Sequence, residues 1–375
     1  MTLPLEGVRV LDLTRLLPGG MATLMLADLG ADVIKIESPD GGDYARWTPP
    51  LVDGMGVLFR LLNRNKRSVI LDLKQERGRS QFHQLVQTAD VVIESFRPGV
   101  LARLQCAADV LRTLNPRLIF CSLSGWGQTG PYADLPGHDL NYVGLAGLLS
   151  TMQMPQPLGG QIADIGGAYC AVAGILAALL QRVRTDEGMT VDISLFESAL
   201  PFVSIAWMEL AYGNGATTLT GHYACYAVYQ CADQQLCALA ALEPKFWQNF
   251  CHALGREDLE AYHMQPDKQS YLLQELRQLF AQKPLALWLD QLGDAECCFT
   301  AVVSPADIGG NPQIQARAAL GRDTAGQPWL ASPLRLTGLD RPLMTPPPAY
   351  GEHTDAVLAE IEDKRVGTSA DTDSA

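Results

Sequence analysis

Residues 8–13, VRVLDL, followed by 19–30, GGMATLMLADLG, and 32–37, DVIKIE, decide the fold. A short apolar run, a helix-like segment and a second short apolar run spell strand, helix, strand. The runs are close to continuously apolar rather than alternating, which is what a strand covered on both faces requires, and such strands belong to parallel sheets with crossover helices. The pattern repeats outward in SVILDL (68–73), DVVIES (90–95) and RLIFCSL (117–123), with helix-like segments between most of them. The runs give way to polar or glycine-rich loops: TRLLPGG, SPDGGDYAR, SFRPG and SGWGQTGP. Open α/β sheets bind ligands outside the carboxyl ends of their strands, so a site drawing on several of these loops is expected.

Beyond Gly137 the character changes to small-residue helices, GLAGLLS and GAYCAVAGILAALLQRV, then a VDISLFESAL segment and a long amphipathic stretch. Residues 223–242 alternate like a hairpin, and helical segments follow to about Leu292. With 375 residues the chain exceeds the size at which a single core stops growing. The expected division is a large domain beginning with 1–215, a small α+β domain over 216–325, and a segment 326–375 that returns to the large domain through a helix near GEHTDAVLAEI. The last residues, VGTSADTDSA, read as a frayed tail.

The longest apolar stretch, Ile165–Leu180, has 16 residues and three glycines. A bilayer needs about 20, so it reads as a wholly buried helix and no membrane span is expected. The amino terminus lacks a secretory pattern. Nine scattered cysteines without a C-x-x-C pair read as reduced thiols of a cytoplasmic protein, and no metal site is expected. A net charge of −13 argues against nucleic acid as a partner. An anionic ligand would need a local cluster of cations, and Arg15, Lys35, Arg46, Arg64, Lys66, Arg67 and Arg97 do recur at strand ends and loops. They are either a phosphate-binding rim on one sheet edge or solvated loop charges; the pattern alone leaves both open.

Gly125-Trp-Gly127-Gln-Thr-Gly130 spells G-x-G-x-x-G after a strand. Its context refuses a dinucleotide, because Pro131 and Pro136 follow where a helix should open. A loop whose backbone approaches some ligand is the better reading. His138 lies between Gly137 and Asp139 before a small-residue helix, a setting in which histidine is usually structural. Asp164 interrupts the apolar run QIADIGG just before a helix, so it is a helix cap, a functional carboxylate or both. Glu243 stands before Pro244, again as a cap or as a functional acid.

Taken in order, LEGVRVLDLTRLLPGG, LGADVIKIESPDGGD, NRNKRSVILDLK, ESFRPGVLARL, SGWGQTGPY, GHDLNYVGLAG, ADIGG, CADQQLCALAALEPKFW and GEHTDAVLAEI resemble the family III CoA-transferases, and within them the α-methylacyl-CoA racemases. The resemblance implies a Rossmann-like large domain built from both termini, a smaller α+β domain, and an obligate interlocked homodimer whose catalytic groups come from two subunits' segments. It implies His138 and Asp164 as the acid/base pair, with Glu243 supporting the histidine and Asp139 beside it. It also implies that Lys35, Lys66, Arg67 and Arg97, with Arg15 and Asn63, meet an acyl-CoA substrate, coenzyme A being part of that substrate and no separate cofactor being needed. Two chemistries fit. Epimerising the α-carbon of a 2-methylacyl-CoA requires one base on each face, and backbone N–H groups near Gly166 or Gly167 could stabilise the enolate. A CoA-transferase would instead use Asp164 as nucleophile, through an acyl-aspartyl anhydride. His138 favours the first; Gly160, where the racemases have Asn four residues before the aspartate, departs from it.

Overall fold

Branched apolar residues in runs of four to six become strands because both faces of the sheet are covered. The computed structural model describes residues 3–152, 154–213, 218–322, 326–338 and 344–362. Six strands, β1 (Arg9–Leu13), β2 (Asp32–Glu37), β3 (Lys66–Ile70), β4 (Val91–Glu94), β5 (Ile119–Ser124) and β6 (Thr190–Ser194), form one sheet in the order β3-β2-β1-β4-β5-β6. Every neighbouring pair is parallel. The chain runs outward from β1 to β3 and then returns to lay β4 beside β1, and at such a reversal a crevice opens at the carboxyl ends.

Helix α1 (Leu16–Asp28) joins β1 to β2, α2 (Glu76–Gln87) joins β3 to β4, and α3 (Ala108–Leu114) precedes β5. Short α4 (Asp139–Leu145) and long α5 (Ile162–Thr185) lie between β5 and β6. Leu11, Ile34, Val69, Phe82, Leu85, Val92 and Phe120 make one core layer. Val357 and Ile361, from a helix over 354–362, complete that layer. Three further ties bind this segment: the His353 N–H donates to Ser68 C=O at 2.9 Å, the Ile70 N–H to Thr354 Oγ1 at 3.0 Å, and Arg9 to Glu360 at 2.8 Å.

Two expectations need correction. The third strand starts at Lys66, two residues before SVILDL, because Lys66 and Arg67 enter the ladder opposite Val33 and Ile34. Helix α5 has 24 residues and is not wholly buried. It extends past the apolar run because Arg182 turns inward to Asp90 at 2.8 Å, while Tyr169, Leu180 and Val183 stay exposed. By length and composition it could cross a membrane; its buried face packs on α1, β5 and β6.

The chain divides into two compact units. The first takes in the described residues of 1–146, 158–199 and 319–375, the second 147–157 and 200–318, so its main segment begins nearer 200 than 216. The second unit has an antiparallel sheet in the order β9-β8-β7, from β7 (Tyr226–Gln230), β8 (Leu236–Ala240) and β9 (Phe299–Val302). Helices α6 (Pro244–Leu254), α7 (Gln269–Phe280) and α8 (Leu285–Leu292) bury Trp247, Phe250, Phe280 and Trp288 with Tyr229 in its core. The expected tail, residues 366–375, lies outside the described residues.

Candidate active site

Asp164 is the third residue of α5, whose N-cap is Gln161. It is therefore not the cap. That role falls to Asp139, whose Oδ1 accepts the N–H groups of Ala163 at 2.7 Å and Asp164 at 3.1 Å. A helix N-terminus favours a carboxylate. Burial nevertheless wins at Asp164, with the Asp139 charge as the second cause, and its carboxyl is pushed up to about 7. Tyr142 lies within the field of both acids: burial first and then the charge on Asp164 push its hydroxyl up to about 12.

His138 is the N-cap of α4, exposed and in extended conformation, with its N–H donating to Asn141 Oδ1 at 3.0 Å. The glycines around it have a steric reason. A Cβ at Gly125 or Gly137 would run into the Tyr142 ring, and Gly127 and Gly130 have φ of 86° and 97°. The G-x-G-x-x-G pattern thus seats a tyrosine and turns a loop. Trp126 meets that tyrosine edge-on, 5.0 Å between ring centres.

These groups share one cleft of about 660 Å³ in the first unit. Its walls are the start of α1 (Arg15, Leu16, Leu17, Pro18), the loop after β4 (Ser95, Phe96, Arg97, Pro98), the loop after β5 (Ser124, Gly125, Trp126), and His138, Tyr142, Gln161 and Asp164. The loops after β1 and β4 are those that flank the topological reversal. A smaller cavity of about 180 Å³, lined by Leu71, Leu73, Lys74 and Leu104 among others, shares Arg15 and Phe96 with the cleft.

Lys35, Lys66 and Arg67 are not on the walls of the cleft, and Lys35 lines the smaller cavity. Lys35 and Lys66 project from strands into the layer under α1, with no exposed side-chain surface. Lys35 Nζ lies 2.9 Å from Asp43 and donates to Thr14 C=O, and Lys66 Nζ donates to Thr23 Oγ1 at 2.7 Å and Asn63 Oδ1 at 3.0 Å. Burial, its largest cause, lowers Lys66 to about 8, whereas Asp12, Asp43 and Glu37 together raise Lys35 against the burial that would lower it. Asn63 is buried in the same network. Arg67, the second residue of β3, pairs with Asp32 and Glu360, at the amino edge of the sheet, away from the cleft. Of the expected cations, Arg15 and Arg97 line the cleft.

Gly166 and Gly167 lie in the second turn of α5, where the helix takes the backbone N–H groups, so they form no enolate cradle. A Cβ at Gly167 would collide with Leu195. His138 and Asp164 line the cleft from one unit of the same chain. Glu243 belongs to the second unit, exposed, as N-cap of α6.

Sequence reading missed Lys74, Tyr142 and Trp126 on these walls; Lys74 directly follows an apolar run, the one local signal available. It also missed Glu94. That buried carboxyl, pushed up to about 7 by burial, accepts the Phe96 N–H at 2.8 Å and so holds the loop after β4.

The family model described as CoA-transferase family III matches residues 5–354. A succinate–glutarate CoA-transferase of Agrobacterium fabrum is 34% identical, over 96% of both chains. The α-methylacyl-CoA racemase of Homo sapiens is 32% identical over 95% of this chain and 93% of its own. A crystal structure of a CAIB/BAIF family protein from Brucella suis superposes with a TM-score of 0.83 at 32% identity, covering 96% of this chain and all of that one.

Proposed function

The chain belongs to CoA-transferase family III and is an acyl-CoA enzyme of racemase or CoA-transferase kind, and from that premise we propose that it epimerises the α-carbon of a 2-methylacyl-CoA by two-base proton transfer. The observation that carries the reading is the shared cleft of His138 and Asp164, with the Asp164 carboxyl raised to about 7. A carboxyl so placed can take a proton near neutral pH and give it back, and imidazole is the side chain best suited to the complementary transfer. One base removes the proton α to the thioester carbonyl, leaving a planar enolate. The other, protonated, returns a proton to the opposite face.

The thioester would lie between these groups. Arg15, Arg97 and Lys74 would meet the coenzyme's phosphates, and the smaller cavity would take its nucleoside end. The acting species in this proposal is an interlocked homodimer in the cytoplasm, with Glu243 keeping the supporting role that the resemblance gives it. Exposed Phe202, Ile205, Trp207, Leu210 and Tyr212 support an unpartnered apolar surface in the second unit, and the nine unpaired thiols support a reducing compartment.

A second reading has its own support: a carboxylate at a helix start in an open cleft is also a nucleophile, as CoA transfer between an acyl-CoA and a free acid requires. Chiral chromatography of a 2-methylacyl-CoA incubated with the enzyme tests the first reading, which expects a single epimer to become a near-equal mixture. Retained configuration, with hydroxylamine trapping an acyl group when a carboxylic acid acceptor is supplied, would establish the second in its place.

A further inference from the structure

The turn from β1 into α1 is held more tightly than a chain reversal needs. Leu16, the first residue of α1, has φ of 60°, the left-handed region in which leucine is strained. Four backbone polar atoms around it are tied down. Asp12 Oδ1 accepts the Thr14 N–H at 2.9 Å, and Lys35 Nζ donates to Thr14 C=O at 2.9 Å. Ser95 Oγ accepts the Arg15 N–H at 3.1 Å, and Asp43 Oδ1 accepts the Leu16 N–H at 3.1 Å. Strain of this kind persists only where the surroundings over-determine it.

Lys35 and Asp43 close the arrangement by pairing with each other at 2.9 Å, both side chains almost without exposed surface. Asp43 also accepts the Ala45 N–H at 2.9 Å and so fixes the turn that carries Tyr44. Arg15 lies over that Tyr44 ring, 5.0 Å from its centre, donates to its hydroxyl at 3.1 Å, and sits 5.6 Å from the Phe96 ring. One carboxylate therefore orients the residue before α1 from two sides. Arg15 stands where the cleft and the smaller cavity meet.

We propose that Lys35 and Asp43 are positioning residues for the coenzyme: by locking the left-handed Leu16 they hold the Arg15 guanidinium at the junction of the two cavities, where it meets the phosphates of an acyl-CoA. This rests on the reading that the cleft takes a CoA thioester. Lys35 acts indirectly here, because its ammonium is tied to Asp43 and Thr14, and both Lys35 and Asp43 line the smaller cavity beneath Arg15.

The test is calorimetric titration with coenzyme A itself, beside KM and kcat for an acyl-CoA, on the parent, Asp43→Asn and Asp43→Ala, each also in an Arg15→Ala background. The expected result is a Kd and KM raised about tenfold in Asp43→Ala and about threefold in Asp43→Asn, with kcat at saturation within about twofold. In the Arg15→Ala background the Asp43 changes should move Kd by less than about twofold, since they act through the missing guanidinium. Parent-like Kd in the folded variants, a loss confined to kcat, or additive effects in the double variants would each overturn the proposal. Should Asp43→Ala not fold, Asp43→Asn decides by the same criteria. A parent that binds no coenzyme A overturns the functional reading, and the proposal with it.

Discussion

Replacing Asp164 with asparagine should stabilise the protein at alkaline pH and leave it almost unchanged in acid. The folded chain holds the Asp164 proton up to about pH 7, whereas in the unfolded chain an aspartate gives it up near 3.8. Between those values the folded state binds the proton that the unfolded state has released, so stability falls as pH rises through the window and levels off above it. At 1.36 kcal/mol per pKa unit, this upward shift costs the fold about 4 kcal/mol at pH 8 and under about 1 kcal/mol at pH 4. Asparagine has nearly the same shape and carries neither the buried charge nor the repulsion from Asp139. Thermal unfolding of parent and variant, followed by far-UV circular dichroism at pH 4, 6 and 8, should show a Tm difference that grows to roughly 5–10 °C at pH 8. Glu94 titrates in the same window by the same cause, but it is common to both proteins and drops out of the difference. A variant less stable than the parent at pH 8, or a gain independent of pH, would refute the reasoning that burial strains this carboxylate.

Three further outcomes are expected. Arg46→Ala should cost about 3–5 kcal/mol, because it leaves Glu37 buried without its partner at 2.6 Å; urea unfolding that shows a loss below about 1 kcal/mol would contradict this. Ile361→Ala should cost about 2–4 kcal/mol in the same assay if the carboxyl-terminal helix completes the first core, and an unchanged midpoint would detach it. Gly167→Ala should lower stability by about 1–3 kcal/mol by pushing Leu195 off α5, and because Leu195 lines the cleft, kcat/KM should fall with it; parent-like values of both would show that α5 has room there.

The parts of the fold that could be read in advance are those in which burial imposes a local pattern. β1, β2, β4 and β5 stand out because residues such as Val10, Leu11 and Ile93 are covered on both faces. β6 escapes, since at the edge of the sheet its residues alternate between exposed and partly covered and Asp192 interrupts them. Its place is set by pairing with β5, which no local pattern records. The site divides along the same line. His138 and Asp164 could be singled out as polar residues in apolar or glycine-rich settings. The cap that Asp139 places on α5 joins residues 24 and 25 positions apart, so Asp164, next to the helix start, looked like the cap itself. The lysines misled for a related reason. Lys35 and Lys66 look like loop cations only until Asp12 and Asp43, from other elements, are seen to meet them inside. A charge pattern in one dimension does not say which side of a sheet a side chain takes.

In the proposed reaction His138 and Asp164 move the proton α to an acyl-CoA thioester. This transfer is tested most directly by mass spectrometric measurement of α-hydrogen exchange in deuterated water, with a 2-methylacyl-CoA as substrate and parent, His138→Ala and Asp164→Ala side by side. The parent should incorporate one deuterium at the α-carbon, and each variant should lose about a hundredfold or more in rate. No exchange by the parent, or exchange at the parental rate in either variant, would contradict it.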